Sequence, residues 1–321
     1  MPTGTGVDRQ VGYAVESSYG AGVVVTRFLP AISATITKDI QVSESNAQIA
    51  GAKVLRSTQW MQAKAMVGGD VQHELHTQSM GLLLRAAFGT VTTTGAGPSY
   101  THVFSPADKT VSFTTQVGVP ATFGSVLPQT STGCKVQSWE IAVSAGEIVT
   151  WGMTVVAQEQ TYGTAIATPS YAANLTSWHA RSLSVQIDGT LVPTRSFSVK
   201  GETNLTTDDR LFAGSTVIAE PLSKGMDSYT GQIDAEWGNP SALGTLLYQR
   251  FLTGTEGTLV AILAAGTLAG TITANIRFDG TTPTATDSGI TPLSLPFTCV
   301  ASGTLDSSAI SVRMVNNDAA A

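Results

Sequence analysis

GDVQHEL at residues 69–75 returns later in the chain as GQIDAEW at 231–237. Two other stretches return in the same order: AGAKV at 50–54 as AGSTV at 213–217, and MGLLLRAAF at 80–88 as LGTLLYQRF at 243–251. The offset is 163 positions between Gly51 and Gly214, and 162 between Gly69 and Gly231. Ordered landmarks at one offset indicate two tandem copies of one fold unit, each long enough to bury its own core.

The stretch at 69–75 alternates between apolar and polar side chains, and so does its repeat. Val71, His73 and Leu75 fall on one face of an extended chain, as do Ile233, Ala235 and Trp237 in the second copy. Period-two alternation predicts half-buried strands. The opposite faces carry carboxylates, so we expect each strand to have an acidic solvent face, with Asp70, Glu74, Asp234 and Glu236.

A helix is predicted directly after each of these strands. Apolar residues recur at helical spacing in both copies: Met80, Leu83, Leu84, Ala87 and Phe88, then Leu243, Leu246, Leu247 and Phe251. In the second copy, Asn239 is suited to the N-cap and Pro240 to the first helical position.

The remaining pattern predicts a mainly β fold. Each copy has an early strand, at 30–38 and 195–201, and a return hairpin, at 135–158 and 271–302. We therefore expect two tandem β-sandwich or barrel domains, each flanked by one short α-helix. The predicted boundaries are an N-terminal arm at 1–27, domain 1 at 28–158, a linker at 159–180 and domain 2 at 181–321.

A long polar stretch separates the first two strands of each copy, at 39–57 and at 202–220. Structureless loops of this length inside a compact domain are unusual and are often functional. Because both copies have one at the same place, we expect each loop to reach a partner. The candidate contact residues are Asp39, Glu44, Arg56, Glu202, Asp208, Asp209 and Arg210.

The composition excludes several classes of protein. Only 12% of residues are charged and the net charge is −6, so a basic face that grips nucleic-acid phosphate is not expected. The first ten residues lack the features of a signal peptide, and no apolar run approaches the length of a membrane span. Cys134 and Cys299 do not match in the repeat, so we expect two buried free thiols in a reducing cytoplasm.

The chain shows no pattern that carries catalysis or metal binding. His73 and His76 are three apart and point to opposite faces of a strand, so they cannot chelate one metal. Asp208-Asp209 has no charged counterpart in the first copy, which favours a solvated loop or an ion pair between subunits. There is no nucleophile elbow, phosphate loop or dinucleotide fingerprint. We expect no catalytic residue, cofactor or metal.

The order of strand, long loop, strand, LGxLL-type helix and hairpin resembles the major tail tube proteins of long-tailed bacteriophages. The runs from Thr35 to Phe88 and from Ser198 to Phe251 carry this resemblance, together with the Gly- and Thr-rich, low-charge composition. The resemblance implies a virion protein made in the bacterial cytoplasm. It also implies that three tandem-domain chains form a pseudo-sixfold ring, and that rings stack into a tube for DNA.

The resemblance further implies partners and placements. The partners are copies of the chain itself, tail terminator, tail tip and tape-measure proteins, and DNA passing non-specifically. The four carboxylates of the acidic faces become candidates for the lumen wall, where negative charge repels phosphate; outward exposure to solvent is the alternative. The two long loops become candidates for contacts between rings or subunits. A β-sandwich adhesin or carbohydrate-binding decoration protein remains the alternative function, and an enzyme comes last.

Overall fold

The computed structural model describes residues 9–97, 99–122, 125–236, 249–279 and 292–320. The α-helix is α1 (Gly81–Phe88), residues 249–253 are also helical, and short 3-10 turns lie at Ala180–Ser182, Asp208–Arg210 and Asp306–Ser308. The strands are β1 (Gln10–Val15), β2 (Arg27–Phe28), β3 (Ala31–Ala34), β4 (Thr37–Glu44), β5 (Trp60–Glu74), β6 (Gly89–Ala96), β7 (Ser99–Pro106), β8 (Phe113–Thr122), β9 (Ser125–Ser144), β10 (Thr150–Ala157), β11 (Glu159–Thr161), β12 (Leu183–Ile187), β13 (Thr190–Val192), β14 (Thr194–Glu202), β15 (Leu205–Thr206), β16 (Leu222–Ser223), β17 (Ser228–Glu236), β18 (Gly257–Ala265), β19 (Leu268–Phe278), β20 (Pro292–Cys299) and β21 (Ile310–Asn316). The predicted mainly β fold is confirmed.

The two halves of the chain pair their strands in the same order. In the first half, β3 and β4 pair with β5, β5 with β10, and β10 with β9, while β1 and β8 extend the other end of β9. In the second half, β14 pairs with β17, β17 with β20, and β20 with β19, while β12 and β18 extend β19. All of these pairs are antiparallel.

Two further pairings join the halves into one sheet. Strand β14 of the second half pairs along β9 of the first, from Ser196 opposite Ser144 to Glu202 opposite Ser138. Strand β21 pairs with β7, from Val312 opposite Phe104 to Asn316 opposite Tyr100. Two ladders of main-chain hydrogen bonds therefore cross from half to half.

The core lies behind this sheet and includes α1. Seven of the eight helix residues are buried, and Phe88 packs on Trp139 with ring centroids 4.8 Å apart. Trp139 stacks on Trp151 at 5.5 Å with an interplanar angle of 12°. Both rings are almost inaccessible to solvent, so these two tryptophans pack in the core.

The structure differs from the predicted N-terminal arm and linker. Within the described part of residues 1–27, strand β1 pairs with β8, and Val11 and Tyr13 are 1% exposed. Within 159–180, β11 pairs with β9 and Trp178 is 1% exposed. Both stretches therefore belong to the sheet and to the core of the first half, since their strands pair there and Val11, Tyr13 and Trp178 are buried there.

Part of the predicted long loop at 39–57 is a strand. Residues 39–44 continue β4 and pair with the first residues of β5, which starts at Trp60. The hairpin β6–β7 was also missed: it follows α1, and nothing in the described strand order of the second half corresponds to it. The start of the second predicted helix, with Asn239 and Pro240, lies outside the described residues.

Candidate assembly surfaces

The junction between the halves depends on close packing of an aromatic ring against a glycine. Gly201 on β14 lies opposite Trp139 on β9, and a Cβ on Gly201 would lie 2.6 Å from two atoms of the indole ring. Any larger residue would push the indole or separate the two strands. Gly201 therefore lets two sheets from different halves meet at normal strand spacing.

The seven strands from β3 through β5, β10, β9, β14 and β17 to β20 share one polar, solvent-facing side. Behind each strand the alternate residues are buried, as the pattern of β10 shows with Trp151, Met153 and Val155 inside. The acidic side chains on the polar side are Asp70, Glu74, Glu140, Glu202 and Asp234, and Lys200 lies opposite Glu140. The sheet thus brings three of the four carboxylates predicted for the acidic faces to one continuous surface.

Hydroxyl groups of neighbouring strands hold these carboxylates. Thr154 donates to Oδ1 of Asp70 at 2.7 Å, and Ser196 donates to Oδ2 of Asp234 at 2.6 Å. Partial burial raises the pKa of Asp234, but hydrogen bonds from Ser196, Gln232 and Ser294 outweigh it and leave the pKa below its ordinary value. Asp234 therefore stays ionised at neutral pH, with its charge at a fixed position on the face.

The predicted carboxylates Glu74 and Glu236 are at strand ends, further from the centre of the face than Asp70 and Asp234. Glu74 is half-buried at the end of β5 and accepts a hydrogen bond from Ser177 at 2.5 Å. Glu236 ends β17, and its side chain lies outside the described residues.

The chain between β4 and β5 forms a projecting hairpin, here called the hairpin segment (residues 40–65). It begins after the pair Asp39–Met66. Its two strands stay paired with each other as far as the pair Glu44–Trp60. Almost every residue from 41 to 63 is exposed. The exposed apolar side chains include Ile40, Val42, Ile49, Val54, Leu55, Trp60 and Met61, with Val54 73% and Met61 69% exposed.

The corresponding chain of the second half folds back onto the first half and is here called the folded segment (residues 203–227). It begins after the equivalent pair, Glu202–Ser228. Thr203 donates from its main-chain N to Gln137 O at 2.9 Å, and Ala65 N donates to Thr216 O at 2.7 Å. Two apolar side chains of the segment are buried, Leu205 at 7% exposed and Ile218 at 3%.

Two buried lysines of the first half bind the folded segment. Lys135 Nζ lies 2.6 Å from a carboxylate oxygen of Glu220, and Lys109 Nζ lies 2.6 Å from one of Asp227. The lysine side chains are only 3% and 4% exposed. Lys135 also donates to Lys109 O at 2.7 Å, so its ammonium has partners despite its burial.

The residues predicted to contact partners divide between these two segments and their bases. Asp39, Glu44 and Arg56 are exposed on the hairpin or at its base, and Glu202 ends β14 on the polar face. Asp209 pairs with Lys224 at 2.7 Å, and the hydrogen bond and charge of Lys224 lower its pKa. Arg210 donates from Nε to Glu220 O at 2.8 Å. The side chain of Asp208 lies outside the described residues.

The histidine pair does not form a metal site. His73 is fully buried between Tyr13 and the carbonyl of Pro30, at 2.6 and 2.7 Å, while His76 is buried against Ser177 at 3.0 Å. No group of three or more metal-binding side chains occurs among the residues that the structure describes. Both cysteines are buried free thiols, as predicted.

Sequence reasoning missed the surfaces that join the halves, namely Trp139 against Gly201, and Lys135 and Lys109 against the folded segment. Local periodicity does not indicate which strands pair across such a distance. The pattern of one lysine flanked by apolar residues in GCKVQSW, 133–139, was the available signal of a buried charge.

The comparisons with known proteins agree with this architecture. A family model described as phage tail tube protein matches residues 6–299, which is nearly the whole chain. No curated protein matches the sequence. Among the described helices, none is both long and apolar enough to span a membrane.

Proposed function

Because the chain belongs to the phage tail tube protein family, we propose that three copies form a pseudo-sixfold ring and that stacked rings form the conduit for DNA ejection. Each chain would contribute two of six similar lobes, with boundaries near 28–158 and 181–321. The protein would be made in the cytoplasm of the bacterial host and assembled into the tail, where tail terminator, tail tip and tape-measure proteins are its other partners. Its role is structural rather than enzymatic.

The observation that carries this proposal is the pairing of β14 along β9. It places two units with the same strand order edge to edge, as neighbours in a ring are placed. The residues of the first half equivalent to Ser196–Glu202 are 33–39, because Phe197 pairs with Ile233 as Ala34 pairs with Val71. Strands β3 and β4 pair with β5 along one edge. In the described parts of the chain, no strand pairs with their other edge.

An open strand edge of this kind is satisfied when another chain pairs with it. Repeating the junction of β9 and β14 between chains gives a heterologous contact, which closes into a ring when its rotation allows. Two lobes a chain and six lobes a ring then require three chains.

The polar face is the surface that we assign to the wall of the lumen. It runs without interruption across both halves and carries the carboxylates Asp70, Glu140 and Asp234. Negative side chains on such a wall repel phosphates, so DNA passes without binding. The predicted alternative, a carbohydrate-binding module, needs exposed aromatic rings clustered on one face. Trp139, Trp151 and Trp178 are buried, and the exposed Trp60 lies on the hairpin segment.

Electron microscopy of the purified chain, with averaged end views, tests the proposal. Hollow tubes with six lobes of two alternating kinds are the expected result. Tubes with six identical pairs of lobes would keep the conduit and refute the trimer. A uniform monomer that an added tail tip complex does not convert to tubes would overturn the proposal.

The lumen assignment has its own test. Replacing Asp70 and Asp234 by Lys is expected to slow DNA passage and lower infectivity in a virus that carries the variant. Matched replacement by Lys of Glu147 and Asp306, which are exposed and belong neither to the polar face nor to a predicted contact segment, is the control. Equal infectivity of both variants would show that the face does not line the lumen.

A further inference from the structure

Lys135 has a structural equivalent in the second half, and it is Arg277. Lys135 on β9 pairs with Val156 on β10, one position from the pair Val136–Val155. Arg277 on β19 pairs with Thr298 on β20, one position from the pair Phe278–Phe297. The registers of β5 with β10 and of β17 with β20 match in the same way, through Gly69–Val155 and Gly231–Phe297.

The two equivalent residues differ in what covers them. The folded segment covers Lys135, and the lysine side chain is 3% exposed. No segment of the described chain covers Arg277, whose side chain is 52% exposed and pairs with its near neighbour Asp279 at 2.9 Å. Arg277 thus occupies the register position of Lys135, and no segment of the described chain lies over it.

The hairpin segment is the equivalent of that occupant. The two segments, 40–65 and 203–227, are nearly equal in length, and both start after equivalent strand pairs. Ser57 is the equivalent of Glu220, which binds Lys135. Each lies the same number of residues after an equivalent strand position, Asp39 in the first half and Glu202 in the second. The hairpin segment also keeps exposed the apolar side chains that a covered segment buries.

From this equivalence we infer that the hairpin segment of one chain docks on the second half of the neighbouring chain in the same ring, with Arg277 as its anchor. The occupant of the Arg277 surface is therefore a second copy of this chain. Where Lys135 binds a carboxylate and the carbonyl of Pro221, Arg277 binds the hydroxyl of Ser57 and adjacent main-chain carbonyls. A guanidinium suits this role because it has five N–H donors in a fixed fork.

This inference rests on the proposed ring, and cysteine cross-linking separates the two. Tubes of the double variant Ser57→Cys/Arg277→Cys are treated with a short bismaleimide and run on a denaturing gel. Docking within a ring predicts a ladder that stops at three chains, because three links close the ring. The native thiols are buried, and each single variant is the control for their reaction.

Other results overturn the inference and leave the ring intact. A ladder that continues beyond three chains would place the hairpin segment on the next ring. Tubes with no cross-linked product would show that Ser57 and Arg277 are not neighbours. Wild-type protein that forms no tubes, even with a tail tip complex, would refute the ring and the inference together. Asp209→Cys/Lys224→Cys calibrates the reaction, since the two side chains are exposed and lie 2.7 Å apart within one chain.

A second measurement does not depend on cysteine variants. Arg277→Ala is expected to raise the protein concentration needed for tube formation about tenfold, with the melting temperature of the unassembled chain unchanged. Arg313→Ala, an exposed arginine on β21, is the matched control. An Arg277→Ala chain that assembles at the wild-type concentration would overturn the anchor role.

Discussion

The hairpin segment and the folded segment occupy the same place in the strand order, yet one projects into solvent and the other lies against a neighbouring unit. The folded segment has a neighbour within its own chain, namely the first half, with the buried side chains of Lys109 and Lys135. The hairpin segment meets the folded segment only at its base, where Ala65 N donates to Thr216 O, and almost all of its residues from 41 to 63 are exposed. The difference teaches that the neighbour, more than the segment's own sequence, determines whether this region is covered.

The largest expected effect comes from removing the two lysines that bind the folded segment. Lys109→Ala/Lys135→Ala removes the ammonium partners of Glu220 and Asp227, and Asp227 keeps a hydrogen bond from the Tyr229 hydroxyl. We expect the unfolding free energy to fall by about 4 kcal/mol. Urea denaturation measures this loss. Limited proteolysis is expected to show new cleavage between residues 203 and 227, as the folded segment becomes as exposed as the hairpin segment.

Lys53→Ala/Lys200→Ala is the control for this variant, because it removes the same charge from exposed positions. We expect it to change the unfolding free energy by about 0.5 kcal/mol or less. If both double variants unfolded alike, the lysines would not explain the difference between the segments.

Acid is the second test, because a buried histidine of the first half has no titratable equivalent in the second half. Burial lowers the pKa of His73 to about 4, from an ordinary 6.5, and the positive charges of His76 and Arg9 act in the same direction against the hydrogen bond to Pro30. The equivalent position in the second half is Ala235, which pairs with β20 as His73 pairs with β10.

The sign of the pH effect follows from the lowered pKa. Below pH 6.5 His73 binds a proton in the unfolded chain but stays neutral in the folded chain, so acid favours unfolding. The contribution of His73 to the free energy of unfolding is therefore complete above about pH 6.5 and is lost towards pH 4. The loss approaches about 3 kcal/mol. Urea denaturation across this range measures it. His73→Gln is expected to be less stable at pH 7 but to show a shallower slope, and an unchanged slope would contradict the assignment.

The third test targets the junction that keeps the halves adjacent. Gly201→Ala introduces a Cβ 2.6 Å from the Trp139 ring, and we expect a loss of about 2 kcal/mol by overpacking. Gly152→Ala, on β10 beside this junction, meets no atom within 4 Å and serves as the control. Thermal denaturation of both variants checks the expectation. Equal melting temperatures would show that the junction tolerates a methyl group.

The smallest effect on stability is expected in the hairpin segment. Met61→Ser changes a side chain that is 69% exposed, so unfolding free energy should change by about 0.5 kcal/mol or less. Tube formation, followed by light scattering, should nevertheless require more protein. Met226→Ser, 89% exposed on the folded segment, should alter neither property. Equal assembly of both variants would remove the distinction between the segments.

The sequence predicted those elements that have one buried and one solvated face. Alternation at 69–75 and 231–236 predicted parts of β5 and β17, and helical spacing at 80–88 predicted α1. The dipeptide Asp188-Gly189 is typical of a two-residue hairpin turn, and both residues have the positive φ angles that such a turn needs. In these places burial imposes a period on the sequence, and the period can be read.

The remaining elements lack that signal for physical reasons. The strands of the hairpin segment are exposed on both faces, so the alternation of Ile40 and Val42 with polar neighbours does not mark a buried face. The pairing of β14 with β9 is a choice of partner, which local periodicity does not encode. The acidic face was predicted strand by strand, but its continuity across both halves depends on that choice.

The pairing of β21 with β7 sets a minimum time for folding during synthesis. Val312 pairs with Phe104, so β7 waits for a strand that the ribosome makes only near the end of the chain. At about 5–20 residues per second, this delay is roughly 10–40 s. Until then β7 keeps an open edge, and a nascent or truncated chain differs from a finished one at this site.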